Sequence, residues 1–273
     1  MHLGSTSRRI ARLAVAVAVV AGCAAGTRAP LQGIDRDRLV DLTHPFDADT
    51  IYWPTEEGFV LERGPAGRTA AGYWYEANRF RAAEHGGTHL DAPVHFAEGH
   101  STVDAIPLER LVGPGVRVDV SAACAADRDH AVSIADLEAF ERAHGRIPDA
   151  AIVLLYTGWE AHWPDRGRYL GTALRGPAAV AELHFPGLDA EAARWLAEER
   201  HVRAVGLDTA SIDPGISQRF ETHQVLFERE VPAFENLAQL DRLPARGFDV
   251  VALPMKIRDG SGGPLRAIAI LPP

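Results

Sequence analysis

The chain has 273 residues, 47% of them hydrophobic, and a formal charge of −9 at pH 7. That length and apolar content are enough for one domain with a real core. The acidic balance excludes the electrostatic footprint of a nucleic-acid or anionic-lipid binder.

In chain order, the first segment lies outside any fold. Arg8, Arg9 and Arg12 precede an unbroken apolar run, Leu13 to Gly22, which is too short to span a bilayer, since that takes about 20 residues. Residues 1–22 therefore read as an export signal. Val20-Ala21-Gly22-Cys23 is similar to a lipobox, in which Cys23 is lipidated and becomes the new N-terminus. On this reading the protein is exported and meets a membrane only through lipidated Cys23, at a periplasmic or cell-surface face. Residues 23–34 are then a tether and 35–273 the folded domain. Removing residues 1–22 takes away three arginines and no acids, leaving a charge of −12. With Cys23 lipidated, Cys124 has no disulfide partner and reads as an inert packed residue.

Short apolar runs mark strands at "VRVDV" (116–120), "AIVLLYT" (151–157), "VRAVGLD" (202–208), "DVVALPMKI" (249–257) and "RAIAIL" (266–271). Ser133 with Asp136 three residues on predicts a capped helix that buries Leu137 and Phe140 and ends at Gly145. Asp189 caps a second helix, "AEAARWLAEER", with Trp195 and Leu196 on its buried side. Helices followed closely by strands indicate a mixed α/β domain. The glycine-rich "DGSGGPLR" lacks phosphate-loop spacing and reads as a turn into the last strand.

Most of the chemistry sits in "HGGTHLDAPVHF", residues 85–96. His85, His89, Asp91 and His95 all occupy odd positions, while Leu90, Ala92, Val94 and Phe96 occupy even ones. In a bent strand or strand-like loop this period-two alternation puts the titratable groups on one face, toward a cavity. Gly86, Gly87 and Pro93 argue against a helix. Imidazole and carboxylate are common ligands of zinc, manganese and iron, and three such groups lie within seven residues. His95, four residues beyond Asp91, is placed to act on metal-activated water without being a ligand. No GxSxG elbow surrounds a serine, and Cys124 has no histidine at a telling distance, so activated water is preferred to a covalent nucleophile. Farther on, "GLDTASID" places Asp208 at a strand end and Asp213 in a turn, and His223 and Glu235 follow. Trp53, Tyr73, Trp74, Tyr75 and Phe80 are candidates to line a flat aryl pocket, Trp53, Trp74 and Phe80 foremost. The eight remaining histidines, among them His44, His100, His130 and His184, read as surface or packing residues.

"HGGTHLDAPVHF" resembles the HxGTHxDxPxHF signature of the metal-dependent cyclase family, which includes bacterial kynurenine formamidase and isatin hydrolase. "DLTHPF" (41–46), "YWP" (52–54), "AIPLERLVGPGVRVDV" (105–120), "GLDTASID" (206–213), "ENL" (235–237) and "ALPMKIRDGSGGPLRAIAI" (252–270) are similar to further blocks of that family. The resemblance implies one α/β domain on a twisted, barrel-like mixed sheet with flanking helices, usually a homodimer. It implies one or two divalent ions, zinc or manganese. His85, His89 and Asp91 would be ligands, His223 and Glu235 would complete a second ion's shell, and His95 would be the general acid/base. Glu235 matches the formamidase pattern, whereas "YWYEANRF" (73–80) is similar to the isatin hydrolase branch. The implied activity is hydrolysis of an aryl amide, either an N-formyl group or a cyclic lactam. A related hydrolase of a non-aromatic amide or lactone is the alternative. A metal-binding lipoprotein without turnover is the reading from another class, and His95, which binding alone does not need, argues against it.

Overall fold

The apolar run at 151–157 forms the strand Ile152–Tyr156, and its neighbours explain why it carries no polar residue. Val153 and Leu155 pack into one core cluster, Ile152 and Leu154 into another, and all four are fully buried. A strand covered on both faces reads as continuous rather than alternating hydrophobicity. The computed structural model describes residues 1–2 and 35–273, so the stretch read as an export signal (after His2), Cys23 and the stretch read as a tether lie outside the described residues. Ile34–Pro273 is one compact unit.

Eight strands build the main sheet: β1 (Leu39–Asp41), β2 (His89–Asp91), β3 (Val112–Asp119), β4 (Ile152–Tyr156), β5 (Ala204–Leu207), β6 (Ala233–Glu235), β7 (Arg246–Pro254) and β8 (Gly262–Ile270). Their order is β1-β8-β7-β3-β4-β5-β6-β2, and β2 also pairs with β8. That last pairing closes seven strands into a barrel, with β1 laid along the far half of β8. Strands β3 to β6 run parallel and every other pairing is antiparallel. Phe234, Phe248, Val250, Ala252, Leu265 and Ala267 join Ile152 and Leu154 in one core cluster. The opposite face of the parallel strands is covered by α1 (Ile134–His144) and α2 (Ala190–Glu199), through Leu137, Phe140, Ala192, Ala193 and Leu196.

Both helix starts form as their sequence signals indicate. Ser133 and Asp136 make a reciprocal capping box, and the Asp189 carboxylate accepts from the Glu191 and Ala192 amides. Trp195 departs from the expectation. It is only half-buried, packed at the edge of the core cluster with the Arg200 guanidinium over its ring, 3.7 Å from the centroid. The C-terminal strands also begin earlier than the apolar runs suggest. β8 starts at Gly262, so "SGGPLR" is largely strand and not a turn, and β7 ends at Pro254. Cys124 is buried in the short helix Ser121–Ala126, and burial pushes its thiol up to about 12.

Behind β4 and β5, the buried Asp208 carboxylate accepts from the Thr157 amide and hydroxyl at 2.9 and 2.7 Å. Nearby, burial raises Glu160 to about 7, against a bond from the Gln239 amide and reinforced by Asp208 and Asp241. A carboxyl raised on folding favours the native state at low pH. That contribution is present below about 4.5, the ordinary glutamate value, and is lost as pH rises through 7. Glu160→Gln is therefore expected to be more stable than wild type at pH 8, by about 1–3 kcal/mol, and no more stable at pH 4.5. Denaturant melts at the two pH values check this, and a gain of equal size at both would contradict it.

Candidate metal centre

Strand register does the first part of the assembly. β2 lies between β6 and β8, with Glu235 opposite His89 and Ala233 opposite Asp91. Directly paired residues share a sheet face about 5 Å apart, so the Glu235 carboxylate meets the His89 and Asp91 side chains. Leu90, between them, turns the other way into the core. The alternation seen in the sequence holds only over these three residues. His85 enters through a turn at Gly86 and Gly87, and His95 through the 3-10 turn Pro93–His95. Glycine is required in that first turn. Gly87 has φ +58°, and a Cβ there would lie 2.6 Å from the Phe46 ring, while one at Gly86 would lie 2.1 Å from Tyr52. Asn236 secures the turn by donating from Nδ2 to the Gly87 carbonyl at 2.8 Å. His223 comes from α3 (Glu221–Phe227), whose first turn is held by Asp213 accepting from the Thr222 and His223 amides, both at 3.1 Å.

These elements bring together all five residues read from the sequence as candidate ligands. His85 Nδ1 lies 2.6 Å and His89 Nε2 3.1 Å from Asp91 Oδ1. His223 Nε2 lies 3.2 Å from Asp91 Oδ2 and 3.3 Å from Glu235 Oε1. Two donor sets result, His85–His89–Asp91 and Asp91–His223–Glu235, each within 4.8 Å and sharing Asp91. Each imidazole is tied at its outer nitrogen: His89 Nδ1 to the Gly87 carbonyl (2.9 Å), His223 Nδ1 to Asp213 Oδ2 (2.5 Å) and His85 Nε2 to Ser261 Oγ (2.8 Å). The inner nitrogens therefore converge on the carboxylates. Ligand imidazoles in metalloproteins are held this way.

The charge distribution fits a cation. Asp91 and Glu235 are 1% and 3% exposed, so two carboxylates share one water-poor site. Burial raises Glu235, and the charge of Asp91 raises it further. Burial would also raise Asp91, but the neighbouring imidazoles hold it well below the ordinary range. Burial pulls His89 down, yet Asp91 and Glu235 drive it up to about 9. The site thus gathers positive charge onto its imidazoles, the demand that a bound divalent ion satisfies. His95 differs. It stacks on His85 with centroids 3.8 Å apart, and burial lowers it to about 3 despite Asp91. No protein group bonds either of its ring nitrogens among the described residues.

The cluster opens into a cavity of about 350 Å³. Trp53 lines it as expected, but Trp74 and Phe80 do not. They sit on the short antiparallel pairs Ala66–Arg68/Trp74–Glu76 and Val60–Glu62/Arg79–Arg81, where no second layer covers them, and are 62% and 52% exposed. Tyr73 and Tyr75 are exposed on the same ribbon. The aromatic wall is instead completed by Phe96 and Phe220. Phe220 packs 5.9 Å from Trp53 and 5.3 Å from Phe96, centroid to centroid. Asp213, Glu84 and Ser261 had no role in the sequence reading, because a residue that orients a ligand carries no spacing signal of its own. His44, by contrast, is a packing residue, stacked on Trp163 at 4.2 Å.

The Cyclase family model matches residues 40–214. The chain belongs to the Cyclase family. Among its relatives, an isatin hydrolase of Roseibium aggregatum is 31% identical over 74% of this chain and 77% of that protein. A kynurenine formamidase of Erythrobacter litoralis is 27% identical over 85% of this chain and 93% of its own. The structure of isatin hydrolase A from Labrenzia aggregata bound to benzyl benzoate superposes with a TM-score of 0.76. It is 34% identical, covering 86% of this chain and 93% of that one. The barrel with flanking helices is thus the Cyclase-family fold.

A cluster built for a cation depends most on the residue shared by both donor sets. Asp91→Ala is expected to purify with little or no divalent metal. Asp213→Asn, which leaves every inner donor in place, should keep the fold and bind metal about 10–100-fold more weakly. Elemental analysis and chelator competition measure both, and wild-type metal content in Asp91→Ala would remove the assignment.

Proposed function

We propose that this Cyclase-family protein is a metal-dependent hydrolase of aryl amides, acting on an N-formyl aryl amide or on a cyclic lactam of the isatin type. The observation that carries the reading is His95, an imidazole facing the cavity with neither ring nitrogen bonded among the described residues, stacked against a cluster of five donors. His85, His89, Asp91, His223 and Glu235 would hold zinc or manganese, one ion or two, with Asp91 common to both donor sets. Such an ion supplies Lewis acidity that activates water and polarises an amide carbonyl.

The protein groups supply the rest. Trp53, Phe96 and Phe220 hold a flat ring by apolar contact and keep bulk water from it. His95, kept neutral by burial, accepts a proton from the attacking water as oxygen adds to the acyl carbon. It returns that proton to the departing nitrogen as the C–N bond breaks, so the imidazole ends as it began. The names of the relatives, isatin hydrolase and kynurenine formamidase, support both amide classes, and benzyl benzoate in one solved relative supports an aryl site.

Hydrolysis of isatin and of N-formylkynurenine by the zinc- and manganese-loaded protein is the direct test. His95→Ala should keep its metal and fold and lose about 10²–10⁴ in rate. If it turns over at near wild-type rate, another group moves the proton. If it loses metal as well, His95 is itself a ligand.

The reading extends to location and assembly. The lipobox-like run supports an exported protein anchored through lipidated Cys23, and the family resemblance supports a homodimer. In cells fed a labelled fatty acid the wild-type chain should take up label and Cys23→Ser should not. A wild type that never takes up label ends the anchor proposal.

A further inference from the structure

The glycine-rich segment "DGSGGPLR" reaches the metal centre through its serine. Ser261 Oγ lies 2.8 Å from His85 Nε2 and 2.7 Å from Glu84 Oε2, and the Ser261 amide donates to the same Glu84 oxygen at 3.0 Å. A hydroxyl has one proton to give. A glutamate carboxylate accepts only, so that proton goes to Glu84. Ser261 Oγ must then accept from His85, and the proton of that contact sits on Nε2. That leaves Nδ1, which meets Asp91 Oδ1 at 2.6 Å inside the donor set, as the nitrogen free to give up its proton and turn its lone pair to an ion.

The glycines on either side make this contact possible. A Cβ at Gly260 would lie 2.8 Å from Glu84 Oε1. A Cβ at Gly262 would lie 2.6 Å from His85 Cε1 and 2.6 Å from the Leu90 carbonyl. Ser261 is thus brought to both side chains along a backbone that has room for neither neighbour to carry a side chain. Pairing of Gly262 with Asp91 and a bond from the Ala92 amide to the Ser261 carbonyl at 2.9 Å fix the segment to the ligand strand.

We infer that Glu84 and Ser261 are positioning residues that set the tautomer and ring plane of His85, presenting Nδ1 to the metal. The inference rests on the metal-dependent reading above. It also accounts for the platform under His95, since the ring that Ser261 holds is the one on which His95 stacks, 16° from parallel.

The readout is metal affinity, measured by zinc competition against a chromophoric chelator on the full chain. Ser261→Ala should bind zinc about 10–100-fold more weakly with an unchanged melting curve in the absence of metal. Glu84→Ala should weaken binding in the same direction. Glu84→Gln, whose amide oxygen still accepts both bonds, should retain most of the affinity. Because Glu84 acts through Ser261, the double variant Glu84→Ala/Ser261→Ala should be no weaker than Ser261→Ala alone, a departure from additivity that two independent packing roles would not produce. Nitrogen-15 NMR of the wild type gives the second measurement, with His85 Nε2 protonated both with and without zinc. Wild-type zinc affinity in Ser261→Ala, or a bare His85 Nε2, overturns the inference while leaving the metal centre standing. A wild type that binds no zinc overturns both.

Discussion

An almost wholly buried carboxylate sits at the centre of this site. Asp91 faces three imidazoles, His85 and His89 at one oxygen and His223 at the other. Stripping an ionised carboxylate of water costs several kcal/mol unless opposite charge replaces the lost solvent, and here the replacement comes from two separate parts of the chain, residues 85–89 and His223. The constraint passes outward from there. The imidazoles must hold fixed orientations, so each is bonded at its far nitrogen. Those bonds require Gly87's carbonyl, Asp213 and Ser261 to be in place, and these in turn require tight turns and close strand approaches that only glycine permits.

The barrel is the device that meets those demands. Its parallel half, β3 to β6, is backed by helices and carries most of the apolar burial. Its antiparallel half brings β2 between β6 and β8, so that donors from one strand face a donor on the next. Asn236, the residue after β6, then takes a left-handed conformation and reaches back to the turn preceding β2. Core and site are separated by residue parity. Leu90 belongs to the core, and its neighbours His89 and Asp91 to the site.

Local signals in the sequence were legible where local physics decides the outcome. The caps at Ser133 and Asp189 and the apolar strand at 152–156 depend on neighbours within a few residues, and they form as read. The candidate ligands were legible too, because histidine and aspartate are seldom clustered beside glycine and proline without a use. The path that brings them together was not. Period-two alternation suggests one bent strand or strand-like loop; only His89–Asp91 is strand, and His85 and His95 arrive through a turn and a 3-10 segment that overlay them as a stacked pair. The aromatic pocket was the least legible part. Trp74 and Phe80 have the right chemistry on a ribbon that leaves them in solvent, while Phe96 and Phe220 line the cavity from positions with no distinguishing pattern. Side-chain type is written in the sequence, but which layer covers a ribbon is settled only by tertiary packing.

The pairing of β2 with both β6 and β8 has one more consequence, for how the chain comes to be folded. The site lies on the seam where the barrel closes, and it joins His89 to Glu235 and His85 to Ser261. No stretch shorter than residues 85–235 holds all five candidate ligands, and the serine that bonds to His85 comes later still. Contacts so distant in sequence are made only after the entropy of closing a long loop has been met. A growing or partly folded chain therefore has helices and parallel strands to build with, and imidazoles in plenty, but no centre. The centre is whole only in a barrel that has closed.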